Sequence, residues 1–290
     1  MSEANFDLKA FSDATARLVA KAAPSVVSVH SHRSRASGFI WRPGLIVTAD
    51  ETLAEEGDIS VGFADGGTLA ATLAGRDHTT DVALLRVNDT ARQPASFSTA
   101  TVAAGSLAVT VGRDHDHPLV ASGLVSVAAG AWRSMRGGDI DARIELDLRL
   151  RRVAEGGLAI DASGTAFGMA VLGPRQTLVI PAATIDRVAA KLATDGRIAR
   201  GYLGLALQPV RVGEGAGAMV MGVEAGGPGA TAGVQQGDVI VAWNGKPLEG
   251  VRALTRSLGP DSVGTTAELS ILRAGTPSTV RLTIGERPAA

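Results

Sequence analysis

"RRVAEGGLAIDASGTAFG", residues 151–168, has the rhythm of a loop entering a β-strand, a turn and a second strand. "DASG" supplies the hairpin turn between them. The same grammar runs from residue 25 to about 180. "SVVSVHSH", "SGFIW", "GLIVTA", "ISVGFADGGTLAATLAG", "DVALLRV", "SLAVTVG", "ASGLVSVAAG", "ARIELDLRL" and "TLVIP" are short runs rich in Val and Ile, broken by turn residues. Many short strands at this spacing predict a barrel or sandwich. "PAATIDRVAAKLATDGRI" then switches to a helical period, with Ile185, Val188, Ala189 and Leu192 on one face and Gly196 as its stop. Beyond it, "GYLGLALQPV", "GAMVMGVEAGGPGATAGVQQGDVIVAWNGKPL", the short helix "GVRALTRSLG" and the hairpin "TAELSILRAGTPSTVRLTIG" make a second, smaller α+β unit. At the other end, Phe6, Leu8, Phe11, Ala14, Leu18 and Val19 form a helical stripe that Pro24 closes.

Composition agrees. A chain of 290 residues suits two modest domains, and 45% hydrophobic residues can build real cores. Only 3% aromatics, with 36 glycines, favour a β-rich, turn-rich fold. Net charge is −1 without a basic block, which argues against nucleic acid as a partner. With no cysteine, disulfides, thiolate nucleophiles and thiolate metal sites are excluded. No cofactor is expected. The first residues do not read as a signal peptide, and no run of about 18 apolar residues occurs. The expectation is a cytoplasmic chain, or a periplasmic one if a leader has been removed.

"SVVSV" (25–29), "ASGFIW" (36–41), "TADETL" (48–53), "TDVALLRV" (80–87), "SGLVSV" (122–127), "DLRLRRVAEGGLAIDASG" (147–164), "LVIP" (178–181) and "RGYLGL" (200–205) occur in this order. In order and spacing they resemble the HtrA (Deg) family of trypsin-like serine proteases with a C-terminal PDZ domain. The resemblance implies a mainly β fold, a trypsin-like double β-barrel followed by a small α+β PDZ domain. It implies an N-terminal helical segment over 1–24, a protease-like barrel domain over 25–182, a linker helix over 183–199 and the PDZ domain over 200–287.

A serine protease needs a hydroxyl nucleophile, an imidazole base and an orienting carboxylate. Matched to the family, Glu51 falls at the His position, Asp81 at the Asp position and Glu155 at the Ser position. Val153 falls where the family has the glycine that shapes the oxyanion turn, and a β-branched residue suits a left-handed turn poorly. The expectation is a degenerate triad and a pseudoprotease rather than an enzyme. If the fold is kept, the three carboxylates converge. They then form a salt-bridged remnant, with Arg149, Arg151 or Arg152 as counter-charge, a hard-cation site, or an acid pair sharing a proton. His115 and His117, alternating with Asp in "RDHDHP", and His30 and His32 in "HSH", are candidate transition-metal ligands or plain solvated positions. His78 is expected to be exposed in the turn before Asp81.

In the PDZ-like unit, "GYLGL" (201–205) matches the family's carboxylate-binding loop. A glycine turn there aims backbone N–H groups at one anion, beside a strand edge that a peptide can extend. Tyr202, Leu203, Gly204, Leu205 and Leu207 are the candidate peptide-binding residues, with Leu254 and Leu258 on the helical wall. The implied function is binding of peptide C-termini or unfolded segments, in a chaperone-like, regulatory or scaffolding role. The alternatives are a protease of another mechanism and a metal-binding relative. The resemblance further implies a homotrimer or co-assembly with an active relative, with Phe6 and Phe11 as candidate contacts.

Overall fold

Asp7 opens the first helix, α1 (Leu8–Ala22). Its carboxylate accepts hydrogen bonds from the N–H groups of Lys9 and Ala10 at 2.9 and 3.1 Å, which satisfies donors that a helix start leaves bare. The computed structural model describes residues 7–98 and 101–288, so Phe6 lies outside the described residues. Only the second half of the apolar stripe is used inward: Leu18 and Val19 pack on the core, whereas Leu8 and Phe11 stay 72% and 45% exposed. A 3₁₀ turn, Ala23–Ser25, carries Pro24 and leads into the sheets.

Two closed six-stranded barrels follow, so the fold is mainly β. The first is built from β1 (Val26–Ser31), β2 (Ser34–Arg42), β3 (Leu45–Thr48), β4 (Ile59–Gly62), β5 (Thr68–Asp77) and β6 (Val82–Val87), closed in the order 1-2-3-6-5-4. Next come β7 (Leu107–Asp114), β8 (His117–Ala129), the small ribbon β9 (Trp132–Arg133) and β10 (Asp139–Ile140), β11 (Arg143–Asp147), β12 (Leu158–Ile160), β13 (Ala166–Leu172) and β14 (Thr177–Pro181). All but the ribbon close the second barrel in the order 11-14-13-12-7-8.

The strand period of two sorts the side chains. On β2, Ile40 points into the first barrel with Val27, Val29 and Ile46. Its neighbours Phe39 and Trp41 point into a core shared with Val109, Leu158 and Met169. The second barrel is filled by Val125, Leu146, Phe167 and Val179. Helix α2 (Ala182–Asp195) lays Ile185, Val188, Ala189 and Leu192 on the shared core. The Trp41 indole N–H donates to Asp186 at 2.6 Å and pins it there. Gly196 ends α2 at φ 70°, the left-handed cap glycine tolerates best.

The contacts divide the chain between Ile198 and Ala199. The second unit holds β15 (Gly201–Tyr202), β16 (Leu205–Val212), β17 (Gly215–Val223), α3 (Pro228–Thr231), β18 (Val239–Trp243), β19 (Lys246–Pro247), α4 (Val251–Arg256), β20 (Thr266–Arg273), β21 (Thr276–Thr283) and β22 (Gly285–Glu286). Its main sheet runs 16-17-18-20-21, with β19 on β18, and β15 pairs with β22. Leu203, Val220, Ile240, Leu254, Leu269 and Ile284 form its core. Buried Asp238 accepts two bonds from Arg273, each 2.8 Å, and takes the N–H of Gln235 at 2.8 Å. These contacts hold its carboxyl below the usual range, the Arg273 bonds most of all. The one-turn α3, in a stretch that reads from sequence as strands and turns, begins on Pro228, whose missing N–H costs nothing at a helix start.

Candidate functional site

Glu51, Asp81 and Glu155 come within reach of one another's charge. Glu51 lies in the 3₁₀ turn Asp50–Thr52 that follows β3. Asp81 stands just before β6 at φ 59°. Its Oδ1 accepts the Glu51 N–H at 2.8 Å, and its carbonyl accepts the Asp50 N–H at 3.3 Å. Burial pushes the Asp81 carboxyl up to about 7; the charges of Glu51, Glu155 and Asp50 add to this, while the Glu51 N–H opposes it. Glu155 is only 3% exposed. Burial raises its carboxyl too, countered by the Leu172 N–H, which donates to Oε1 at 2.8 Å, and by the charge of Arg152.

Of the expected counter-charges only Arg152 acts on Glu155, and a further one comes from elsewhere. Glu51 pairs with Arg136, 2.8 Å away, from the loop between β9 and β10. Arg152 acts on Glu155 without an ion pair, and among the described residues neither Arg149 nor Arg151 pairs with any carboxylate. Arg136 lies far from the motif in sequence, which is why its role could not be read there.

The loop before Glu155 is folded differently from the expectation as well. Val153 sits in a 3₁₀ turn, Arg152–Ala154, so it is not in a left-handed conformation. Its carbonyl accepts the Ser37 hydroxyl at 2.7 Å. The N–H groups of Ala154, Glu155, Gly156 and Gly157 donate to the carbonyls of Arg151, Arg152, Ala170 and Ala154. An oxyanion hole needs unspent donors aimed at one point. Here the N–H groups of residues 154–157 are spent on the loop's own backbone and on β13, and Val153 is not in a strained conformation, while among the described residues no acceptor meets the Val153 N–H.

Sequence reasoning missed a polar knot beside Asp81. Asp50, 1% exposed, accepts Arg76 Nε at 2.5 Å and meets His78 Nδ1 at 2.5 Å. His78 is exposed, as expected, yet anchored. The only available signal was an acid next to Glu51 in "TADETL".

His115 and His117 are not gathered into one centre. His117 lies 3.3 Å from Asp116, while His115 meets Arg35 at 3.1 Å and stacks edge-on against His30 at 5.1 Å. His32 has left the strand for a turn at φ 51°. Among the described residues no group of three or more His, Asp or Glu is placed to hold a metal ion.

In the second unit β16 pairs only with β17, so its other edge is open toward α4. Gly204 takes φ 67° and turns the chain into that edge. The carbonyls of Leu203 and Gly204 accept the N–H groups of Gly229 and Glu224, at 2.8 and 2.9 Å. Among the described residues no acceptor meets the N–H groups of Leu203 and Gly204 themselves. Tyr202 bonds Glu224 through its hydroxyl, at the rim. Leu203 and Leu254 are buried in the core, whereas Leu205, Leu207, Leu258 and Val251 are half-buried against it. Leu254 thus belongs to the core, and Val251 lies half-buried beside Leu258 against it.

A model described as the trypsin-like peptidase domain matches residues 36–169, and one described as the PDZ domain matches residues 201–284. The chain is 32% identical over 277 residues to a probable periplasmic serine endoprotease, DegP-like, of Rhizobium meliloti, covering 89% of this chain and 54% of that protein. It is 31% identical over 275 residues to the protein of the same name in Brucella suis, covering 88% and 53%. The chain thus spans about half the length of these relatives. Among solved structures, the serine endoprotease from Yersinia pestis superposes with a TM-score of 0.74 at 27% identity, covering 94% of this chain and 98% of that one. The HtrA-type protease AlgW with a decapeptide gives 0.73 at 22% identity, covering 95% and 99%, a likeness of fold. These relatives correct the expectation that the chain is not an enzyme: the proteins it is similar to are named serine endoproteases. Asp81, its carboxyl pushed up to about 7 by burial, is a group that can exchange protons at neutral pH.

Proposed function

Because this chain belongs to the DegP-like, HtrA-type family of trypsin-like serine proteases with a PDZ domain, we propose that it handles peptides and unfolded segments, taking free C-termini on its PDZ domain. The observation that carries this reading is the pair of unspent N–H groups on Leu203 and Gly204, at the head of an open β16 edge. Two adjacent unspent N–H groups suit a carboxylate, and the edge suits an added strand. Leu205, Leu207, Val251 and Leu258 favour an apolar last side chain. Backbone pairing plus one pocket gives affinities of about −7 to −8 kcal/mol, in the micromolar range. Peptides ending in an apolar residue, titrated into the full chain, are expected to bind; amidating that end should cost on the order of 1.5–3 kcal/mol. Equal binding of free and amidated peptides would sink the reading.

The relatives named above are periplasmic by name, and the same compartment is proposed here in place of the cytoplasm. Among the described residues no helix is long and apolar enough to cross a membrane. A homotrimer, or co-assembly with a relative, is proposed on the exposed apolar side of α1, where Leu8 and Phe11 lie open. A holding, chaperone-like role fits such a peptide binder.

A second reading is hydrolysis of bound peptide by carboxyl chemistry, favoured by the raised Asp81 and Glu155 carboxyls. At positions 51, 81 and 155 there is neither hydroxyl nor imidazole, so proton transfer there falls to carboxyl groups. Turnover of unfolded casein that Asp81→Asn and Glu155→Gln each abolish would establish it. Turnover untouched by both would place the chemistry elsewhere.

A further inference from the structure

Strand β8 has two neighbours for only part of its length. β7 covers it from His117 to Leu124, whereas β11 joins only from Leu124 to Ala129. Along 118–122 one edge is therefore unpaired, and the segment 149–151 runs past it. Between them lies a hollow of about 240 Å³. Leu119 and Ala121 of β8, Leu150 and Ala154 give it apolar walls, and Thr110 adds a hydroxyl. Arg149 and Arg151 line it too; both are exposed, and among the described residues neither is paired with a carboxylate. Asp147, two residues before Arg149, forms no ion pair with it. The Glu155 carboxylate does not line the hollow; it is spent on the Leu172 N–H.

We propose that this hollow binds the carboxylate of an acidic side chain carried on a peptide laid along the free edge of β8. The apolar walls would take the methylene stem. Two unpaired guanidinium groups at one mouth attract an anion and offer bidentate N–H donors to a carboxylate. The attraction is between exposed charges, so salt weakens it. This site stands apart from the terminal-carboxylate groove, so it does not depend on that reading.

The test uses the full chain and short peptides blocked at both ends and carrying a neutral dye, so that no terminal charge contributes. Ala-Val-Glu-Ala-Val is compared with Ala-Val-Gln-Ala-Val by fluorescence anisotropy. The Glu peptide is expected to bind about tenfold tighter at low salt, with the ratio falling toward one at about 0.5 M NaCl. Arg149→Gln with Arg151→Gln should erase the ratio. Arg149→Lys with Arg151→Lys keeps the charge and should retain part of it. Both pairs are exposed, and a circular dichroism spectrum checks that each variant folds. Equal binding of the two peptides to the wild type overturns the proposal, as does a ratio that survives the Gln pair. Inorganic phosphate should displace the Glu peptide only at concentrations a decade or more above that peptide's Kd. Displacement at the peptide's own concentration would assign the hollow to a free anion and overturn the peptide assignment.

Discussion

At the residue scale, the most telling group is Asp81. A carboxyl held near 7 in the fold, against an ordinary 3.8, binds its proton more tightly folded than unfolded. Its protonation therefore stabilises the fold fully below about pH 4, and that stability is lost as pH rises through about 7. The effect is roughly several kcal/mol, since each tenfold gain in proton affinity is worth about 1.4 kcal/mol. Carboxyls held low, such as Asp238 beside Arg273 and Asp141 beside Thr184 and Arg187, act in the opposite sense. The difference between wild type and Asp81→Asn isolates Asp81. We expect the wild type to lose stability relative to that variant between about pH 4 and 7, read by urea denaturation at each pH. A constant difference would mean that Asp81 is charged throughout. Arg113 shows the same logic with opposite charge: desolvation lowers its pKa, and the backbone carbonyls of Val26, Ala23 and Asp116 accept its N–H groups at 2.6, 2.7 and 3.0 Å. Nothing in "VGRDHDHP" hints that its arginine is among the most buried side chains of the protein.

At the scale of the element, the 152–157 loop is fixed by what surrounds it. Gly156 takes φ 87°, and a Cβ there would stand 2.3 Å from the Ser37 carbonyl oxygen and 2.9 Å from Thr48 Oγ1. Gly66, at φ 83° in the hairpin between β4 and β5, has nothing within 4 Å of the same position. Gly66→Ala should therefore cost about 1 kcal/mol, from backbone conformation alone. Gly156→Ala should cost about 3 kcal/mol or more, because backbone atoms must shift. Urea denaturation of both variants tests the contrast, and similar losses would mean that the loop yields. Sequence shows the element here and hides its surroundings. "EGG" reads as a tight loop from its glycines, but the Ala170 carbonyl that accepts the Gly156 N–H and the Ser37 hydroxyl that donates to Val153 come from β13 and β2, far along the chain. The same limit applies to "GVRALTRSLG": its period makes a helix legible, while only packing shows that Leu254 is sealed in the core.

For the whole molecule, local pattern carried the architecture, since period-two runs and glycine turns specify strands and hairpins that close into barrels. Partners between distant segments were beyond it, Arg136 on Glu51 and Arg76 on Asp50 among them. The open β16 edge has a consequence for what the protein counts. Pro209 sits in that strand, exposed and paired across to Ala218. Proline is tolerated on an edge strand where its missing N–H faces outward, so a guest strand finds no donor there. Pairing from Leu205 then has room for about four residues of guest before the ladder breaks. Peptides of four and eight residues sharing one C-terminus should bind within about twofold of each other, by calorimetric titration. A steady gain in affinity with length would show the ladder continuing past Pro209. With so short a ruler, each client molecule presents one handle whatever its length. Occupancy then follows the molar concentration of chain ends rather than the mass of protein: a long unfolded chain loads the protein no more than a short one, and every cut in it adds another handle.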